Sequence, residues 1–139
     1  LAHDPDTLRE RSPLYNAVMF GQKGLPRAER ELGSTVASRI NGCAYCASVH
    51  AKRFTDLAKE PEVMTRLHAD GLHAKLDPRR TAMVAYAAKL TASPASLGPA
   101  DAAPLRAAGL SDGDILDLTG AVAMFAWANR LMQSLGASA

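Results

Sequence analysis

Residues 42–50 read GCAYCASVH and hold the two cysteines of the chain, Cys43 and Cys46, with His50 four residues beyond the second. A thiol pair at this spacing beside an imidazole has three possible uses: a metal clip, a structural disulfide, or a dithiol for redox chemistry. On a helix each residue turns by about 100°, which puts Cys46 about 60° and His50 about 20° from Cys43, all on one stripe. Cys46 and His50 have the spacing at which helical side chains touch. Both cysteines fall in the first turns of their helix, where the partial positive charge of the N-terminus favours a thiolate. A thiol with a reference pKa near ~8.5, placed there and next to an imidazole, has two reasons to ionise near neutral pH.

A carboxylate from the preceding segment completes the constellation. If the chain reverses at Asn41-Gly42, Glu31 lies about 15 Å before the corner and His50 about 12 Å after it, at ~1.5 Å per residue. In an antiparallel hairpin the two side chains then stand at similar height. A carboxylate bonded to one imidazole nitrogen fixes the tautomer and makes the other nitrogen a better proton acceptor. The residues thus suggest a Glu31–His50–Cys46 relay, with Cys43 one turn away as the resolving thiol. Glu31 also neighbours Arg27, Glu29 and Arg30, so a plain solvated face is the alternative reading of that residue.

The elements that must position these groups read as helices throughout. Alanine is abundant and no period-two run stands out, which favours helix over strand. Pro5 to Phe20 forms the first helix, with Leu8, Leu14, Val18 and Met19 as its apolar positions. Pro26 suits the opening position of a second, which runs to Ile40 and stops at Asn41-Gly42. Cys43 to Leu57 or Ala58 makes a third, and a shorter fourth follows Pro61 through Leu67. Asp77-Pro78 starts a fifth, RRTAMVAYAAKLTA, with Met83, Tyr86, Ala87 and Leu90 on one face. SPASLGPADAAP reads as a loop from its Pro, Gly and Ser content, followed by a short helix at Leu105 to Ala108. Ser111, with Asp114 three residues on, caps a long final helix from Asp112 to Leu135. The prediction is one all-α domain over residues 1–139, with six to eight helices.

Composition narrows the function classes. The 139 residues carry sixteen basic and fourteen acidic side chains, a net charge of +2, without a basic stripe. With three Phe, three Tyr and one Trp, nothing suggests nucleic acid as a partner. The longest apolar stretch, Leu118 to Ala128, is far short of the ~20 residues of a membrane span. LAHDPDTLRE has no apolar signal region, and the missing initiator methionine leaves room for a longer native N-terminus. Two cysteines without an export signal point to the cytoplasm, where C-x-x-C is more often catalytic or metal-binding than structural.

The pattern E-x11-C-x2-C-x3-H, here Glu31, Cys43, Cys46 and His50, resembles the active-site signature of alkylhydroperoxidase D-like (AhpD-like) proteins. These belong to the carboxymuconolactone decarboxylase superfamily. The flanks LPRAERELGSTVASRINGCAYC, RRTAMVAYAAKLT and GLSDGDILDLTGAVAMFAWANRL resemble its peroxidase-related branch, from about Leu14 onward. The resemblance implies a fold of stacked antiparallel helical hairpins that assembles into homo-oligomers, trimers or hexamers. It also implies hydroperoxide reduction at Cys46 through a sulfenic acid, with Cys43 closing a disulfide. An external dithiol, such as a lipoyl-bearing or thioredoxin-like protein, reopens it, with no cofactor and no metal. Position alone favours Cys43 as the more acidic thiol; contact with His50 shifts the assignment to Cys46. One departure is Tyr45, where the best-studied members have histidine. With a pKa near ~10 a tyrosine is no base at neutral pH, which implies simpler proton handling. Decarboxylase members lack the cysteine pair.

Competing readings remain at this level. Structural zinc on Cys43, Cys46 and His50 needs a fourth ligand, for which Glu31, His68 and His73 are available. A structural disulfide over so small a loop adds little constraint. A redox-responsive binding or scaffold protein with the same motif and little turnover is a further alternative. His3, His68 and His73 read as surface histidines, and Met124, Phe125 and Trp127 as core or interface packing. Asn129 and Arg130 close that apolar face, Arg130 as an interface or carboxylate-pairing residue. Ser34, Thr35 and Ser38 read as small residues for helix packing, with a polar pocket as the alternative.

Overall fold

Proline punctuation accounts for most helix starts. Residues 3–136 are described in the computed structural model. They form seven α-helices: α1 Pro5–Phe20, α2 Arg27–Ile40, α3 Ala44–Ala58, α4 Pro61–Asp70, α5 Pro78–Ala92, α6 Pro99–Ala107 and α7 Asp112–Leu135. Short 3-10 turns occupy Gly71–His73 and Pro94–Ser96, and no strand occurs among the described residues. Pro5, Pro61, Pro78 and Pro99 open their helices, where the missing N–H costs nothing. Asp4, Asp77 and Ser111 accept from the free backbone N–H groups of the first turns of α1, α5 and α7. Asp114 answers Ser111 by accepting from its N–H at 2.9 Å.

The centre of the bundle is α2, in which Arg30 to Ser38 are all buried. A helix buried on every side needs neighbours all round, and α3, α5 and α7 supply them. At the crossing with α7 the close approach falls on Gly33, where a Cβ would stand 2.7 Å from Leu118 Cδ1. Any larger residue there would have to push the Leu118 and Val122 side chains aside. Leu32, Val36, Phe54, Leu67, Met83, Leu105 and Leu118 belong to the main apolar core. A smaller cluster of Met19, Ala121 and Phe125 seats α1 on α7.

Arg30 is fully buried and ties the α1–α2 connection down. Its guanidinium donates to the carbonyls of Leu25 at 2.7 Å, Val18 at 2.6 Å and Lys23 at 2.8 Å, and to Asp117 Oδ2 at 2.9 Å. Asp117 neutralises the charge while the carbonyls engage the remaining donors, as a buried cation requires. Removing Arg30 would leave three carbonyls without their donor, while Asp117, 29% exposed, would keep its hydrogen bond from Leu25 N–H at 2.9 Å.

One stretch departs from its sequence reading. SPASLGPADAAP is not a plain loop: it holds the Pro94–Ser96 turn and the start of α6, so the short helix begins at Pro99 rather than Leu105. Gly98 N–H donates to Asp101 at 2.8 Å, Lys89 pairs with Asp101 at 2.6 Å, and buried Leu105 anchors the far end. Tertiary anchoring at these two points outweighs the loop-like composition.

Candidate active site

The corner between α2 and α3 is built by a C-terminal cap. Gly42 sits at φ +74°, the left-handed conformation glycine accepts without strain. Its N–H bonds to the Arg39 carbonyl at 3.1 Å, and the next N–H, of Cys43, bonds to the Ser38 carbonyl at 2.9 Å. This pair of bonds is a Schellman motif. Cys43 is at the same time the N-cap of α3, its carbonyl accepting from Ala47 at 3.0 Å. Cys43 therefore precedes the helix rather than beginning it, and Cys46 is the third helical residue.

Reversal at this corner brings Glu31 and His50 together. His50 Nδ1 stands 2.6 Å from Glu31 Oε2, with both side chains buried. Arg27 Nε approaches the other carboxylate oxygen at 3.4 Å. The imidazole also meets Phe125 of α7 edge-on, ring centres 3.9 Å apart. The ring is thus held by a hydrogen bond from α2 and an aromatic wall from α7. Cys43 and Cys46 form a second pair, both free thiols, their sulfurs 2.8 Å apart.

The four residues therefore converge as two pairs. No hydrogen bond joins His50 to either sulfur among the described residues. The expected acidification of Cys46 is also absent: burial, followed by the hydrogen bond and charge of Cys43, pushes its thiol up to about 11. A hydrogen bond from Asn129 and its own backbone N–H pull the other way without prevailing. Desolvation penalises the charged form here more than the helix N-terminus favours it.

The two sulfurs face different surroundings. A cleft of about 390 Å³ between α2, α3 and α4 is lined by Thr35, Ser38, Arg39, Cys43, Ser48 and His68. Cys46 turns the other way, its sulfur 3.3 Å from Met132 Sδ on α7. Met132 also lines a groove of about 690 Å³ with Arg11, Trp127, Leu131 and Leu135. Sequence reasoning missed α7 as a wall of the site. The signal was there in the spacing, since Phe125, Asn129 and Met132 lie four and three residues apart on one stripe.

The remaining candidates divide plainly. His3, His68 and His73 are exposed, and His68 reaches the rim of the cleft. Thr35 and Ser38 line the cleft, while Ser34 donates back to the Arg30 carbonyl of its own helix. Arg130 is exposed and donates to the Ala126 carbonyl, with no carboxylate partner among the described residues. No three of His, Cys, Asp and Glu converge in a metal-binding cluster among the described residues. No described helix is long and apolar enough to cross a membrane.

The chain is similar to known proteins in sequence and in fold. The carboxymuconolactone decarboxylase family profile matches residues 5–62, the segment that holds all four site residues. The AhpD core of an uncharacterized peroxidase-related protein from Ralstonia eutropha JMP134 superposes with a TM-score of 0.87 at 31% identity, over 96% of this chain and 70% of that one. An uncharacterized peroxidase-related protein from Silicibacter sp. TM1040 gives 0.83 at 32% identity, over 93% and 68%. A protein of unknown function from Agrobacterium tumefaciens, described as a putative antioxidant defence protein AhpD, shares the fold with a TM-score of 0.78 at 23% identity, over 97% and 93%. No curated protein matches the chain. With nearly its whole length shared at this identity and the dithiol corner inside the matched segment, the chain belongs to the carboxymuconolactone decarboxylase superfamily, among its AhpD-like, peroxidase-related members.

Proposed function

We propose that the protein is a thiol-dependent peroxidase that reduces hydroperoxides with the Cys43–Cys46 pair. The carrying observation is two free sulfurs 2.8 Å apart at the start of α3, beside a buried carboxylate–imidazole pair. In the first step Cys46 sulfur attacks the distal peroxide oxygen and the O–O bond breaks. Cys46 becomes a sulfenic acid and the alcohol leaves after taking up a proton. Cys43 then attacks the sulfenic sulfur, closing the disulfide and releasing water. An external dithiol supplies two electrons and two protons to reopen it and leaves as its own disulfide. Lipoyl-bearing and thioredoxin-like proteins are the reductant classes proposed.

The high pKa of Cys46 bears on the role of His50. A thiol held up to about 11 offers little thiolate at neutral pH, so attack needs a base at the moment of reaction. Glu31 holds Nδ1 of His50, leaving Nε2 to receive the proton through a turn of the Cys46 side chain or a bridging water. Exposed Leu14, Trp127 and Leu135 support self-association into a homo-oligomer. Mass spectrometry after one equivalent of peroxide is expected to find a Cys43–Cys46 disulfide. An unchanged dithiol would overturn the reading.

One observation favours a second reading, a redox-responsive binding protein with little turnover. Both sulfurs are buried and the Cys46 thiol is held protonated, which slows attack. Steady-state peroxide consumption with a dihydrolipoyl reductant, compared with dithiothreitol, separates the two. A faster protein-specific rate supports the peroxidase; negligible turnover with both supports the binding protein.

A further inference from the structure

Glu31 is fully buried, and its two carboxylate oxygens are divided between two partners. Oε2 holds His50 Nδ1 at 2.6 Å, and Oε1 accepts from Arg27 Nε at 3.4 Å. Among the described residues Arg27 is the one permanent cation paired with that carboxylate. It opens α2, with its side chain 35% exposed. Its guanidinium carbon lies 4.1 Å over the ring of Phe20, a stack that fixes the long side chain in place. A line of three groups thus leads inward from solvent: guanidinium, carboxylate, imidazole.

A carboxylate sealed from water needs a positive charge beside it. Arg27 supplies that charge, so the imidazole has no need to, and its Nε2 keeps a lone pair. Without Arg27 the remaining partner of Glu31 is His50, which would then take a proton from solvent and lose its capacity as a base. The other ionisable groups nearby do not replace Arg27. Arg30 on α2 is bonded to Asp117 of α7, and α7 meets the imidazole through the uncharged Phe125. On α1, Arg11 lies over Tyr15, and on α5, Tyr86 bonds to Thr119. On α3, Cys46 precedes His50 by one turn, and half-buried Arg53 follows it without an ion pair to Glu31.

We propose that Arg27 is a positioning residue that balances the charge of Glu31 and so keeps His50 uncharged and able to accept a proton. This rests on the reading of His50 as the base that serves Cys46. The test follows the imidazole nitrogens of His50 by NMR in protein labelled with nitrogen-15 histidine, without peroxide, the signals being assigned by their loss in His50→Gln. In wild type and in Arg27→Lys at pH 7, Nε2 is expected to give the signal of a nitrogen with a lone pair. In Arg27→Met both nitrogens should give the protonated signal, and the lone-pair form should return about one pH unit higher than in wild type. An Arg27 that only packs on Phe20 leaves the imidazole signals where they were, because the methionine side chain packs there as well. Wild-type signals in Arg27→Met of normal helix content would overturn the proposal, as would protonated signals in Arg27→Lys. Should Arg27→Met fail to fold, the Arg27 Nε–H resonance is followed against pH in wild type. A change coincident with that of the His50 nitrogens supports the proposal; a resonance that does not respond overturns it. Peroxide enters neither readout, so failure of the peroxidase reading and failure of the Arg27 proposal remain distinguishable.

Discussion

Cys43 and Cys46 are buried to almost the same degree, 6% and 5% exposed, yet they occupy two different regions. Cys43 borders a mostly apolar cleft, with Ala47, Ala51 and Met64 on its walls and Arg39, Ser48 and His68 as its polar groups. Cys46 faces the thioether of Met132 on α7. Three residues along a regular helix would leave both on one stripe. Cys43 departs from it because it is the cap, with φ −84° and ψ 89° rather than helical values. Fractional burial alone does not describe a thiol; the direction of its remaining neighbours decides its chemistry.

The largest effect expected follows from exchanging the roles of the two sulfurs. Cys46→Ser should abolish peroxide consumption with a dithiol, while Cys43→Ser should still form one equivalent of sulfenic acid at Cys46, detected by dimedone labelling and mass spectrometry. A burst in the Cys46→Ser protein and none in Cys43→Ser would invert the assignment. Next comes His50→Gln, whose amide can still donate to Glu31 but cannot act as a base. Turnover should fall by about 10²-fold or more with helix content unchanged by circular dichroism. A rate near wild type would remove His50 from the chemistry.

The cap itself can be broken from the Cys43 side. Gly42→Ala has room, the nearest atom to a Cβ being Gln133 Nε2 at 3.5 Å, but φ is +74°. The strain of about 1–2 kcal/mol should lower Tm by roughly 3–10 °C. Wild-type stability from Gly42→Ala would show that the corner is not held as described. The smallest effect concerns pH and Cys46. Its folded-state pKa, about 11, lies above the ordinary value of 9.0, so between these values the folded state binds more protons than the unfolded one. The contribution is complete below pH 9 and is lost as pH rises toward 11. The alkaline decline of Tm should therefore be shallower in Cys46→Ala than in wild type, as read by calorimetry across that range.

Much of this was legible in the residues themselves. The starts of α1, α4, α5 and α7 follow from prolines and caps, which are local signals, whereas α4 runs to Asp70, three residues past the expected Leu67. The meeting of Glu31 and His50 was also readable, because a hairpin corner at Asn41-Gly42 sets their heights from rise per residue alone. α6 was not readable, since its start depends on Lys89 and Leu105 holding a Pro-rich stretch against its neighbours. The protonation of Cys46 escaped for a related reason. Local rules place it at a helix N-terminus, but the desolvating wall comes from α7, some eighty residues later, and no local pattern reports how closely that wall approaches.

The cap at Cys43 limits how far a change at the sulfurs can travel. Its amide is committed to Ser38 and its carbonyl to Ala47, so the peptide planes on both sides are anchored. The sulfurs are already 2.8 Å apart, so in the proposed cycle side-chain torsion is the motion that would close the disulfide. The proposed closure would therefore send little displacement into α2 and α3. Under the proposed function, such a corner would suit repeated electron exchange better than long-range signalling.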